Sequence, residues 1–357
     1  MHHPDAINRV RFWALLIARA DYANHNVMTA LLHISKHMPT KQGFCHPDWK
    51  TISDYIEDNL PKSERKSAWE SASMQWVERL CRQLRGKYRV WETPNFLILT
   101  EASDRISRDV CKTCEATLKH ILTSLPEIAS DEGFGKHVVL MIASLKDYYR
   151  YISYFYSEGE HPMSGGVCLD GDGYVHFAFP TIDYFSYGTI LVHELTHTCL
   201  ADRPIPAWLN EAIAMRMEET LCGSKTFVLD REIYERHVAY WNVDTIQTFW
   251  SGESWQIPGE SFGLSYNLAQ VLWRKIELDI GASREAIMKF IATAKSSDGG
   301  EAACRSIFKM SLADLITSFL GKGKWKPAPD RAPNASAKAA GLPLLAGPSH
   351  TLFHCSL

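Results

Sequence analysis

The sequence predicts an α+β fold, on three observations. Apolar residues recur at helical spacing through most of residues 1–86. Three runs rich in β-branched and aromatic residues follow, at 88–100, 137–143 and 165–179, with helical sequence between them. From residue 190 to about 320 the apolar period is helical again. A small sheet with helices around it fits that order.

Val10 to Ile34 and Ser63 to Leu84 carry the helical period, the second through Trp69, Met74, Trp76, Val77, Leu80 and Leu84. Pro39-Thr-Lys-Gln-Gly43 reads as a loop and His46 to Ile56 as the start of a short helix. Residues 1–86 therefore form a helical N-terminal extension. Tyr88 to Thr100 reads as strand with a break at Pro94, and Ser103 to Leu125 as helix. His137 to Ala143 is a buried-type strand, and Leu145 to Tyr156 a Tyr-rich helix. Gly165 to Phe179 reads as a hairpin turned at Asp170-Gly-Asp-Gly173. After a mixed, Trp-rich stretch from Thr226 to Glu260, helices are expected from Ser265 and over Arg284–Ala294, and Glu301–Leu320 closes the domain. Residues 323–357, rich in Pro, Ala, Gly, Lys and Ser without an apolar period, read as a disordered tail.

A chain of 357 residues is long enough for two or three sizeable cores. A formal net charge of −3 argues against a nucleic-acid footprint or a polybasic membrane surface. No apolar run is long enough to span a membrane. The start, Met-His-His-Pro-Asp, is not of signal-peptide type, and nine scattered Cys read as reduced thiols. The expected location is the cytoplasm.

The chemistry concentrates in Ile190-Leu-Val-His193-Glu194-Leu-Thr-His197-Thr-Cys-Leu200. On a helix, His193 and His197 lie one turn apart on one face, where both can bind one metal ion. Asp202-Arg-Pro-Ile-Pro206 stops that helix, and a second begins near Pro206 and carries Glu211. Two antiparallel helices return Glu211 to the imidazole pair, giving a two-His, one-carboxylate site with an open fourth position, as in catalytic zinc. One zinc per chain is expected. The alternative is a buried helix pair with hydrogen-bonded His, but burying these groups on apolar helices without an ion or ion partners is costly.

These residues carry a resemblance. H-E-L-T-H followed closely by P-A-W-L-N-E-A-I-A is similar to the gluzincin zinc metallopeptidases, in their peptidase-MA-like branch. The order of elements from Tyr88 to Lys324, and the ending Ile-Phe-Lys-Met-Ser-Leu-Ala-Asp-Leu, extend the likeness. It implies a thermolysin-like catalytic domain, with a zinc-binding α+β subdomain over 87–222 and a mainly helical one over 223–322. It implies hydrolysis of peptide or protein substrates, with His193, His197 and Glu211 as metal ligands and Glu194 as general base toward a metal-activated water. Members often carry an acidic residue one turn after the third ligand, where this chain has Met215.

Tyr266 matches a tyrosine that stabilises the oxyanion in the aminopeptidases of this group, and His237 is the alternative donor by analogy with thermolysin. Those aminopeptidases bind the substrate's ammonium through a Glu on the strand before the metal helix. The corresponding strand here, Gly173 to Phe179, holds no carboxylate, so an endopeptidase is expected. Its edge is expected to receive an extended substrate, and Asp170 or Asp172 would be the substitute acids. Cys111-Lys-Thr-Cys114, inside a helix, reads as packing rather than redox or metal chemistry, and Cys199 and Cys222 likewise. His354-Cys355 in the tail is a conceivable inhibitory ligand to an open metal. Two rivals remain: a catalytically inactive zinc-binding regulator, and a DNA-associated regulator using the N-terminal helices, which resemble a winged-helix module.

Overall fold

The structure, a computed structural model, describes residues 34–131, 134–156, 166–181, 187–225, 227–255, 257, 259–328 and 344–345. The helix expected over Val10–Ile34 lies outside them except for Ile34.

The first strands are a surprise. Pro39–Gly43 is not a plain loop: β1 (Thr40–Lys41) and β2 (Phe44–Cys45) pair antiparallel. Gln42 and Gly43 take φ of 51° and 87°, the positive pair that a two-residue hairpin turn demands. Helix α1 (Trp49–Asn59) is started by the Asp48 carboxylate, which accepts from the Thr51 N–H. Helix α2 (Lys62–Gln83) buries Ala68, Trp69, Ala72, Trp76, Val77 and Leu80, one stripe at helical spacing.

Then comes the sheet. Strands β3 (Arg89–Glu92) and β4 (Phe96–Thr100) form a hairpin. Helix α3 (Asp104–Ser124) leads to β5 (His137–Ile142), and α4 (Leu145–Ile152) follows. Strands β6 (Val167–Gly171) and β7 (Tyr174–Pro180) are the expected hairpin, with Asp172 and Gly173 at φ of 51° and 90°. The order is β3-β4-β5-β7-β6-β8, with β8 (Leu344–Leu345) supplied by the far end of the chain. β4–β5 and β5–β7 are parallel; the other pairs are antiparallel. Strand β7 is therefore interior, flanked by β5 and β6. The expectation that its edge receives a substrate is corrected: β5 pairs with its Phe177–Pro180 and β6 with its Tyr174–Ala178, so it is not an edge strand.

Alternation along the strands separates two cores. On one face Leu97, Leu99, Val138, Leu140 and Ala178 pack with α1, α2 and α4. On the other Phe96, Ile98, Val139, Met141, Phe177 and Phe179 pack with α3 and with the helices that follow β7. The described part of the N-terminal extension is thus a layer sharing its core with the sheet.

Beyond the sheet run α5 (Tyr187–Leu200), α6 (Ala207–Cys222), α7 (Arg231–Tyr240) and α8 (Thr245–Ser251). Then come α9 (Glu260–Arg274), α10 (Arg284–Thr293), α11 (Glu301–Phe308) and α12 (Leu312–Leu320). Between α11 and α12 Lys309 turns to φ 59°, and Ser311 with Asp314 forms a capping box. The tail boundary at 323 also falls too early. Trp325 is buried, its carbonyl accepts from the Trp250 indole at 2.9 Å, and Gln247 holds Lys326 and Ala328. Among the described residues no helix is long and apolar enough to cross a membrane.

Candidate metal centre

Helices α5 and α6 form the centre. Leu191, Leu195, Cys199 and Leu200 bury α5, so its polar residues at 193, 194 and 197 are carried inside with them. Residues 201–206, with prolines at 204 and 206, turn the chain back. The Trp208 indole then anchors α6 by donating to the Gly299 carbonyl at 2.9 Å. Glu211 consequently faces the imidazoles.

Three ligand atoms converge. His193 Nε2 and His197 Nε2 lie 3.0 Å apart, and Glu211 Oε2 lies 3.4 Å from the first and 3.5 Å from the second. For a tetrahedral zinc with bonds of about 2.0–2.1 Å, ligand atoms should sit about 3.3 Å apart. The triangle has that size. The Nδ1 atoms point outward to acceptors: His193 to the Glu218 carboxylate, His197 to Asn210 Oδ1 at 3.2 Å. An Nδ1–H donated there leaves each Nε2 lone pair aimed into the triangle. Two lone pairs and a carboxylate oxygen at such distances repel unless a cation lies between them. The residues present fit a metal ion.

The charges agree. His193, Glu194, His197, Glu211 and Glu218 are all buried. Burial acts to raise the Glu211 carboxyl, yet His197 and His193 outweigh it and hold the group down to about 2. Burial acts to lower His193, yet Glu211 and Glu218 bring it well above the usual imidazole range. The carboxylates thus draw positive charge into the centre, the demand a dication meets. Glu194 differs. Burial pushes its carboxyl up to about 7 against the pull of His193 and His197. Neither of its oxygens has a hydrogen-bond partner among the described residues.

The other expected residues divide. The Tyr266 phenol is raised well above the usual range, by burial first and then by the carboxylates of Glu211, Glu194 and Glu218. It is not at a helix head, since α9 begins at Glu260, and its ring packs edge-on against Trp255 and Phe262. His237 is not a donor toward the metal. Its Nδ1 accepts from the Trp241 indole at 2.9 Å and its Nε2 faces Asn267 Oδ1 at 2.9 Å, so both nitrogens are engaged. Met215 is buried in the core, and its absent carboxylate is replaced one turn further on by Glu218. Asp170 accepts from the Gly173 N–H at 2.7 Å within its own turn. Cys111 and Cys114 are free thiols, partly and fully buried, while Cys222 is exposed rather than packed. His354 and Cys355 lie outside the described residues.

Sequence reasoning missed Glu218 and Asn210. A signal for Glu218 existed: it lies two turns beyond Glu211, on the same face of α6. Tyr156, whose phenol is raised by burial and by the Glu194 carboxylate, gave none.

A scan of the chain against family models finds no match, and neither does a search of curated proteins. The centre therefore stands on its own geometry: a buried His193–His197–Glu211 trio able to bind a metal ion.

Proposed function

We propose that this chain is a zinc-dependent peptidase of the gluzincin type, with a thermolysin-like arrangement of its two metal helices, acting within peptide or protein substrates. The observation that carries the reading is Glu194, a buried carboxylate with no hydrogen-bond partner among the described residues, next to His193 at the metal-binding trio. A purely structural site has no use for such a group, which costs stability by being buried unpaired. A proton acceptor beside an open coordination position requires it.

Zinc bound to the trio would act as a Lewis acid toward the scissile carbonyl and make water more acidic. The rest falls to the chain. Glu194, held near neutrality by burial, takes a proton from the attacking water and later returns it to the leaving amine. The Tyr266 phenol, kept protonated by burial and the nearby carboxylates, donates to the developing oxyanion. Glu218 and Asn210 fix the imidazole rings through Nδ1.

Metal content and turnover on a mixed peptide library test this together. Protein purified without added metal should hold one zinc per chain, and His197→Ala should lose it. Glu194→Gln should keep the zinc while turnover falls at least ~10²-fold. A wild-type chain that stays metal-free after zinc addition overturns the metal reading. Full zinc with no turnover on any peptide leaves a binding protein instead.

A further inference from the structure

The outer edge of β6 lies beside the metal centre, and the chain itself covers its first two residues, Val167 and Cys168. Gly166, just before β6, abuts α5 so closely that an added Cβ would stand 2.4 Å from Ile190 Cγ2. Two residues on, Cys168 Sγ lies 3.8 Å from Thr198 Oγ1. These contacts touch α5 on either side of His193 and His197, so β6 runs along the helix that carries the ligands. One side of β6 pairs with β7; the other pairs with Leu344–Leu345, in the register Val167↔Leu345 and Cys168↔Leu344. Residues 329–343, fully extended, reach about 50 Å, ample for a strand supplied by the same chain.

We propose that the segment around Leu344–Leu345 is an intramolecular occupant of the β6 edge, competing there with extended peptides. The regulatory part of this inference rests on the peptidase reading; the contact does not. An uncovered edge presents a row of N–H and C=O groups that any extended chain can pair with, largely regardless of its side chains. The occupant is built to be displaced. Pro343 and Pro348 stand on either side of the pair in sequence, and proline has no N–H to extend a ladder. The described pairing spans two residues, and its occupancy depends on tethering, which supplies a high effective concentration. A free peptide then sees its affinity reduced by the fraction of chains whose edge is uncovered.

Two measurements on the full-length chain test the contact without reading turnover. In a Cys355→Ser background, Leu344→Cys should close a disulfide to Cys168 under oxidised glutathione, located by mass mapping, because register partners hold their Cβ atoms about 4.5–5.5 Å apart. Leu345→Cys, whose partner is Val167, should close it far more slowly. No Cys168 bridge, or equal rates for both variants, overturns the pairing. The second probe is a fluorescent peptide copying residues 341–350. It should bind the chain carrying Leu344→Pro and Leu345→Pro about three- to tenfold more tightly than the unaltered chain. Equal affinity overturns the competition. Turnover is read separately: the same double variant should lower KM three- to tenfold with kcat unchanged. If trapping and binding behave as expected but no peptide is hydrolysed, the occupant stands and the peptidase reading falls.

Discussion

Replacing Glu218 with methionine should weaken metal binding by one to two orders of magnitude, although Glu218 touches no metal. Its carboxylate receives the Nδ1–H of His193, and both side chains are at most 9% exposed. Methionine fills similar volume but leaves that N–H buried without an acceptor, which costs about 1–3 kcal/mol. At about 1.4 kcal/mol per tenfold, the affinity falls roughly 5- to 150-fold, the range seen when partners of metal-bound His are removed. Glu218→Gln keeps an oxygen acceptor and loses only its charge, so it should retain affinity within about tenfold. The assay is competition against a chromophoric zinc chelator at pH 7.5, with far-ultraviolet dichroism confirming that each variant is folded. A methionine variant that binds zinc within threefold of wild type would refute the idea that Glu218 fixes the imidazole.

Tyr266→Phe should leave zinc content unchanged and lower kcat about 10²–10³-fold, as loss of one oxyanion donor does; an unaltered kcat assigns that role elsewhere. A peptide with an acetylated N-terminus should be cut as readily as the free amine, at internal bonds located by mass spectrometry. Single residues released only from the free amine would show an aminopeptidase. The last prediction concerns acid stability and the other core. His46 and His176 are buried, and burial lowers both imidazoles to about 3. Their folded values lie below the unfolded one, so stability is fully present above about pH 6.5 and falls as pH drops toward 3. Each imidazole should cost about 2 kcal/mol between pH 7 and 5. His46→Phe, which keeps an aromatic ring between Tyr151 and Tyr154, should remove about half of that loss in urea titrations. An unchanged pH dependence would contradict it.

What the sequence disclosed follows from distance along the chain. His193, His197 and Glu211 were legible because helical spacing alone sets the first two on one face, and a short proline turn returns the third. The β6–β7 hairpin was legible from its Asp-Gly turn. That β7 lies inside the sheet was not, since its second neighbour is β5, brought alongside by α4, and β6 acquires its own from residues 344–345. Glu218 was within reach of the same periodicity that found Glu211, but the family pattern directed attention to residue 215. The burial of His46 and of Trp325 depends on partners remote in sequence, and no local signal announces either.

Strand β7 presents Tyr174 and Ala178 to one core and Phe177 and Phe179 to the other. It is a party wall. Trp49, stacked on Tyr174 at 3.8 Å between ring centres, leans on the same strand whose far side supports the ligand helices. If the two layers melt together, whatever binds at the metal centre also stabilises the N-terminal aromatic stack, by an amount set by ligand concentration over Kd. The tryptophan fluorescence of the first layer then becomes a remote gauge of metal in the third. A substitution among those rings would in turn be felt as a loosened grip on an ion that they never meet.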